Sequence, residues 1–222
     1  MVRKGKEPMK INIPTKITIA RIVAVALLLC FLTVATFLKD SVLWDTIGNT
    51  GIRIANLIAC VVFILASATD YLDGHLARKW NQVTDLGKFL DPIADKMLVN
   101  SILVYACVPF VAGDTVIPWF CVALMIIRDL IVDTMRLVAA KKGKVVAANI
   151  FGKMKTVFQM VAIPVVLLGG WPFTYFDAGW GYGRICLILI YLATAMSVVS
   201  GVIYMVQNAH ILKEENDNGG HA

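Results

Sequence analysis

Charge is what this sequence has least of. Among 222 residues, 16% are Asp, Glu, Lys or Arg and 59% are hydrophobic, with a mean hydropathy of +0.75. A soluble domain is nearer a quarter charged, so a soluble globular class is excluded. The five cysteines (Cys30, Cys60, Cys107, Cys121, Cys186) show no CxxC or CxxH spacing and all lie in apolar runs. That removes zinc ribbons and dithiol redox motifs and fits small core or lipid-facing residues. No aromatic-interleaved basic patch exists, so the net charge of +6 does not point to nucleic acid. Neither an internal repeat nor a linker divides the chain. The first apolar run is too long for a signal peptide and lacks a small-residue cleavage pattern, so none is expected.

What is present is a series of apolar runs of membrane length, about 20 residues each. The expected fold is an all-α integral membrane protein with six transmembrane helices and a short N-terminal interfacial segment. The segment covers residues 1–16, where Pro8 and Pro14 should interrupt regular structure. Spans are expected from Ile17 to Leu38, from near Ile52 to about Asp70, and from Asp91 to Val111. Further spans start near Trp119, Lys153 and Ile185, the last two ending at Gly169-Gly170 and near Val206. Asp91-Pro92 reads as an N-cap followed by proline at the first helical position, with an earlier helix start as the alternative. The six-helix domain is thus placed at 17–207, with a cytoplasmic tail over 208–222, of which K-E-E-N-D-N-G-G-H-A is expected to be disordered. The aromatic loop W-P-F-T-Y-F-D-A-G-W-G-Y-G suits an interfacial belt. All Lys and Arg except Lys39, Arg53 and Arg184 fall on one side of these spans. By the positive-inside rule that side, with both termini, faces the cytoplasm.

The scarce acids are concentrated. Asp70 and Asp73 are spaced i, i+3, and Asp91 and Asp95 i, i+4, so each pair shares a face if helical. Acids beside membrane-length segments are costly and need a partner or a task. Four convergent carboxylates suit hard divalent cations and substrate phosphates. A solvated acidic loop paired with Arg78, Lys79, Lys88 and Lys96 explains the spacing equally well. Gly74 and Gly87 suit either a close ligand approach or a helix cap. Arg78 suits either a diphosphate or interfacial anchoring. A second, basic group consists of Arg128 and Arg136, spaced i, i+8, with Lys153 and Lys155 at the start of the next span. Together these residues suit the phosphate of a small anionic substrate. His75 is read as incidental, and Asn56 as a hydrogen bond between helices.

The pattern D-x2-D-G-x2-A-R-x8-G-x3-D-x3-D, comprising Asp70, Asp73, Gly74, Ala77, Arg78, Gly87, Asp91 and Asp95, resembles the signature of the CDP-alcohol phosphotransferases. Two flanking stretches resemble the bacterial branch that makes phosphatidylglycerophosphate. I-N-I-P-T-K-I-T-I-A-R is similar to its N-terminal motif, with Thr15 where a second Asn and Ile17 where a Leu are usual. R-D-L-I-V-D-T-M-R with F-G-K-M-K-T-V-F-Q-M is similar downstream, Asp129 standing where Glu is frequent.

The resemblance implies transfer of a phosphatidyl group from CDP-diacylglycerol to sn-glycerol 3-phosphate, within a homodimer in the bacterial cytoplasmic membrane. It implies that Asp70, Asp73 and Asp91 hold two divalent cations, Mg²⁺ or Mn²⁺, with Asp95 beside them as general base. Asp70, Gly74, Ala77, Arg78 and Gly87 would line the CDP site, closed by Asn12, Thr15 and Thr18. Arg128, Arg136, Lys153 and Lys155 would bind the glycerol phosphate. Phosphatidylglycerol, inositol phosphate or serine are the alternative acceptors, and a small cation transporter is the alternative of another class.

Overall fold

The computed structural model describes residues 12–38, 42–48, 50–79, 85–112, 115–143, 150–173 and 185–213, without the side chains of 13–14, 71–79, 85–86, 88, 110, 112 and 210–213. The regular structure of the described residues is helical, with one short 3-10 helix at Val42–Trp44 and an isolated bridge between Thr46 and Arg53, joined by turns and short irregular stretches. Six long helices are α1 (Ile13–Phe37), α2 (Ile54–Lys79), α3 (Asp85–Tyr105), α5 (Trp119–Lys141), α6 (Ile150–Leu167) and α7 (Ile185–Lys213). A single turn, α4 (Pro109–Ala112), follows α3. Most of the expected interfacial segment, the tail beyond 213 and most of the aromatic loop lie outside the described residues.

Two helix starts differ from expectation. Pro14 lies in the first turn of α1 behind the N-cap Asn12, so the helix begins at Ile13 and not near Ile17. Proline is tolerated there because the first-turn N–H has no intrahelical acceptor. Pro92 does not open a helix. It lies inside α3, which starts at Asp85, so Asp91 is not an N-cap and Gly87, Asp91 and Asp95 share one continuous helix.

On α1 the buried positions Thr18, Arg21, Val25, Leu28, Leu32 and Ala35 alternate three and four residues apart. That is the seam of a helix packed along its whole length. The seam is polar at its N-terminal end and apolar beyond. α1 packs on α2 and α3, while α7 packs on α5 and α6. The two groups of three meet where α2 touches α6 and α3 touches α5 and α6. Small residues permit close approach at these seams, Ala55, Ala59 and Ala66 on α2 and Ala193, Ser197 and Ser200 on α7.

Three stretches are long and apolar enough to cross a membrane: Thr15–Phe37, Ile150–Leu167 and Ile185–Ala209. α2 contributes a shorter apolar stretch, Ile54–Asp70, and α3 and α5 carry more charge than such a span. Their outer faces are nonetheless apolar. On α5 the exposed large residues are Trp119, Phe120, Leu124, Ile127, Leu130, Ile131 and Leu137, one helical stripe, while Arg128 and Asp129 are largely withdrawn. Cys60, Cys121 and Cys186 are buried, Cys30 is exposed on α1, and all five thiols are free.

The end of the bundle away from the acids is tied by polar contacts. Tyr105 donates to Asn56 Oδ1 at 3.0 Å, and Asn56 Nδ2 donates to the Val111 carbonyl at 3.1 Å. Arg53 lies over the Trp44 ring at 5.6 Å, and Trp44 donates to the Ala35 carbonyl at 2.8 Å. Asn56 therefore joins helices, as expected. Asn56→Ala leaves the buried Tyr105 hydroxyl unpaired, and the Val111 carbonyl with Arg53 as its remaining donor, and should cost about 1–3 kcal/mol. Tyr105→Phe, which removes one donor, should cost less. Thermal unfolding in detergent orders the two.

Candidate active site

The two halves of the acid stretch come from neighbouring helices. Asp70 is on the last turns of α2, and Asp91 and Asp95 are on α3. Asp73, Gly74, Ala77 and Arg78 continue α2 past Asp70, so helical spacing puts Asp73 near the face of Asp70. Gly87 is buried in α3. Among the basic residues proposed as partners of these acids, Lys96 turns elsewhere and pairs with Asp133 on α5.

The polar end of the α1 seam supplies the partners instead. Arg21, 4% exposed, contacts Asp70 through Nη1. Thr18 donates to Asp91 Oδ1 at 2.7 Å. Thr15 is buried one turn earlier, and Asn12 caps the helix. α1 thus ties α2 and α3 together at their acids. A guanidinium against one carboxylate and a hydroxyl against another hold both in fixed orientations. Asp70 keeps its side chain 41% exposed, open to a ligand.

These oxygens are the hard donors that Mg²⁺ and Mn²⁺ take, so the donor chemistry fits a divalent cation. No group of three candidate ligands stands together among the described residues, which do not include the side chain of Asp73.

A cavity of about 330 Å³ opens between the two helix groups. Asp95, Lys96, Asn100 and Pro92 line it from α3, and Arg128, Asp129, Asp133 and Arg136 from α5. Gly152, Lys153, Lys155 and Gln159 line it from α6, and Tyr204 from α7. Asp95 and all four cations of the basic group therefore face one space. Lys155 is 4% exposed and donates to both carboxylate oxygens of Asp129, at 2.7 and 2.6 Å. Arg128 Nη1 donates to the same carboxylate at 3.0 Å, and Nη2 is bonded to Ser200. The Arg136 guanidinium lies 5.8 Å from the centre of the Tyr204 ring. The Tyr204 hydroxyl and Arg128 Nε are buried without partners among the described residues. Such orphans cost about 1–3 kcal/mol each unless a ligand or water meets them.

Several of these residues were not singled out from sequence. Arg21 stands in a stretch already noted, three residues beyond Thr18, where i, i+3 spacing on a helix could have revealed it. Asp133 and Tyr204 carried no local signal, and Gly152 only its place before Lys153.

The family model for CDP-alcohol phosphatidyltransferases matches residues 11–206. The chain belongs to the CDP-alcohol phosphatidyltransferase family. Among curated proteins it is 39% identical over 207 residues to the CDP-diacylglycerol–glycerol-3-phosphate 3-phosphatidyltransferase of Bacillus subtilis, covering 92% of this chain and 99% of that one. It is 36% identical over 173 residues to a protein of the same name in Mycoplasma genitalium, covering 76% and 71%. With that of Salmonella choleraesuis it shares 37% over 161 residues, covering 72% and 78%. As a member of this family the chain is a membrane-embedded transferase, and the family is in general divalent-cation dependent.

Thr18→Val, close in shape but unable to donate, should cost this transferase about tenfold in activity, as loss of an orienting partner typically does. The unfolding midpoint should move by only a few degrees. Activity and thermal unfolding of one preparation separate the two effects.

Proposed function

We propose that this enzyme transfers the phosphatidyl group of CDP-diacylglycerol to sn-glycerol 3-phosphate, releasing CMP and forming phosphatidylglycerophosphate. The observation that carries the reading is the cavity shared by Asp95 and the cations Arg128, Arg136, Lys153 and Lys155. A carboxylate and an anion-binding group on one small space suit an acceptor with a hydroxyl at one end and a phosphate at the other. The names of the relatives support the same donor and acceptor.

The acceptor phosphate is held by Arg128 and Lys155, with Arg136 and Lys153 adding positive charge at the rim. Its 1-hydroxyl then faces Asp95, which takes the hydroxyl proton as the oxygen attacks the β-phosphorus. The new oxygen–phosphorus bond forms as the bond to the α-phosphate oxygen breaks, and CMP leaves with that oxygen. Gly74, Ala77, Arg78 and Gly87 line the cytidine and diphosphate side, where the two glycines and the alanine leave room for the nucleotide and Arg78 serves the diphosphate. Asn12, Thr15 and Thr18 close it from α1. Asp70, Asp73 and Asp91, with Asp95 adjacent, would hold two divalent cations, Mg²⁺ or Mn²⁺. Bound there, such ions supply positive charge against the diphosphate and the leaving CMP.

The acyl chains of the donor stay in the bilayer while its head and the soluble acceptor meet at the cytoplasmic face of the membrane. The excess of Lys and Arg on that side supports this orientation, with both termini inside. The catalytic unit spans 17–207, and the working form is a homodimer, as in the family it resembles.

Purified enzyme in detergent, given labelled CDP-diacylglycerol, Mn²⁺ and a panel of acceptors, tests the reading. CMP release should depend on glycerol 3-phosphate. Dependence on phosphatidylglycerol, inositol phosphate or serine would replace the acceptor, and no CMP release with any of them would favour transport. Chelation should abolish turnover, and added Mg²⁺ or Mn²⁺ should restore it. Asp95→Asn should lower turnover by about 10²–10⁴-fold, the usual contribution of a general base, while CDP-diacylglycerol still binds. Near-normal turnover of that variant would remove Asp95 from the role.

A further inference from the structure

An acid at the centre of an anion-binding pocket needs an explanation. Asp129 lies between Arg128 and Lys155, and the cavity that these cations line is the proposed seat of an acceptor phosphate. By charge alone Asp129 should repel that phosphate. We propose that Asp129 is a positioning residue, which fixes Arg128 and Lys155 as a preset pair of donors for the acceptor phosphate. This inference rests on the acceptor reading given above.

The geometry supporting it is specific. Both oxygens of Asp129 receive Lys155, and one also receives Arg128, at 2.6–3.0 Å. The side chains are largely withdrawn from solvent, Lys155 at 5% exposure and Arg128 and Asp129 at 14% each. The two cations come from different helices, α5 and α6, and Asp129 is their common partner. One acid between two cations leaves the cluster net positive, so an anion is still attracted.

The other side of Arg128 is equally constrained. Ser200 on α7 accepts from Nη2. A Cβ at Gly201 would lie 2.9 Å from Arg128 Cγ, and one at Gly152 would lie 2.9 Å from Nη2. Both glycines are therefore slots that the arginine fills, one along its stem and one at its head. With an acid on one flank and a helix–helix slot on the other, the guanidinium has few other orientations. Pre-organised donors lose less freedom on binding than mobile ones.

The two accounts of Asp129 predict opposite signs. If it were only a competing negative charge, Asp129→Asn would lower KM for glycerol 3-phosphate. If it positions the cations, the same change leaves Lys155 buried without its counter-charge and frees Arg128 to turn.

Steady-state kinetics with both substrates varied decides between them. Asp129→Asn should raise KM for glycerol 3-phosphate by about tenfold or more, with a smaller fall in kcat and no change in KM for CDP-diacylglycerol. Asp129→Glu, which keeps the carboxylate, should recover most of the loss. Gly201→Ala, which crowds Arg128 and leaves the charge unaltered, should raise the same KM, and it serves alone if Asp129→Asn does not fold. An unchanged or lowered KM in Asp129→Asn, or in Gly201→Ala where it serves alone, overturns the proposal. Failure of the wild-type enzyme to use glycerol 3-phosphate would instead overturn the acceptor reading, and this inference with it.

Discussion

Charge inside an apolar helix bundle must face other charge, a polar group or a water-filled space. The ion pairs among the described residues follow that constraint. Arg21 meets Asp70, Lys155 meets Asp129, Lys96 meets Asp133, and Arg128 is held by Asp129 and Ser200. α3 and α5, the helices too charged to resemble membrane spans, keep apolar outer faces and turn charges toward one another. The cavity lies where those inward faces meet.

The arrangement separates two tasks between two groups of helices. α1, α2 and α3 form a frame in which Thr18 and Arg21 orient the acids. α5, α6 and α7 form a second frame in which Asp129, Ser200 and two glycines fix the cations. Asp95 stands on α3 but faces the space the second frame lines, and so belongs to both. In the function proposed above, a site built across this junction would join a lipid-borne substrate from one side to a soluble one from the other.

Much of this was legible in the sequence, for identifiable reasons. The apolar runs and the i, i+8 arginines are local patterns, and six long helices and a cavity lined by both arginines and Asp95 followed them. Asn56 was correctly read as an interhelical bond because an amide inside an apolar run has few alternatives. Pro92 misled, since proline beside an aspartate imitates a helix start, and only the length of helix preceding it in space decides otherwise. The pairing of Lys96 with Asp133 was not legible, because proximity in sequence to Asp91 and Asp95 says nothing about the facing helix. The slot around Arg128 was not legible at all. It is made by Gly152, Ser200 and Gly201 from two other helices, and no spacing within one segment records such a meeting.

The central claim is that one cavity brings the acceptor's phosphate to the cations while its hydroxyl faces Asp95. An experimental structure of the enzyme with glycerol 3-phosphate tests it most directly. The account predicts the phosphate within hydrogen-bonding distance of Arg128 and Lys155, and the 1-hydroxyl directed at Asp95. A phosphate bound elsewhere, for instance against Arg78 at the end of α2, would contradict it.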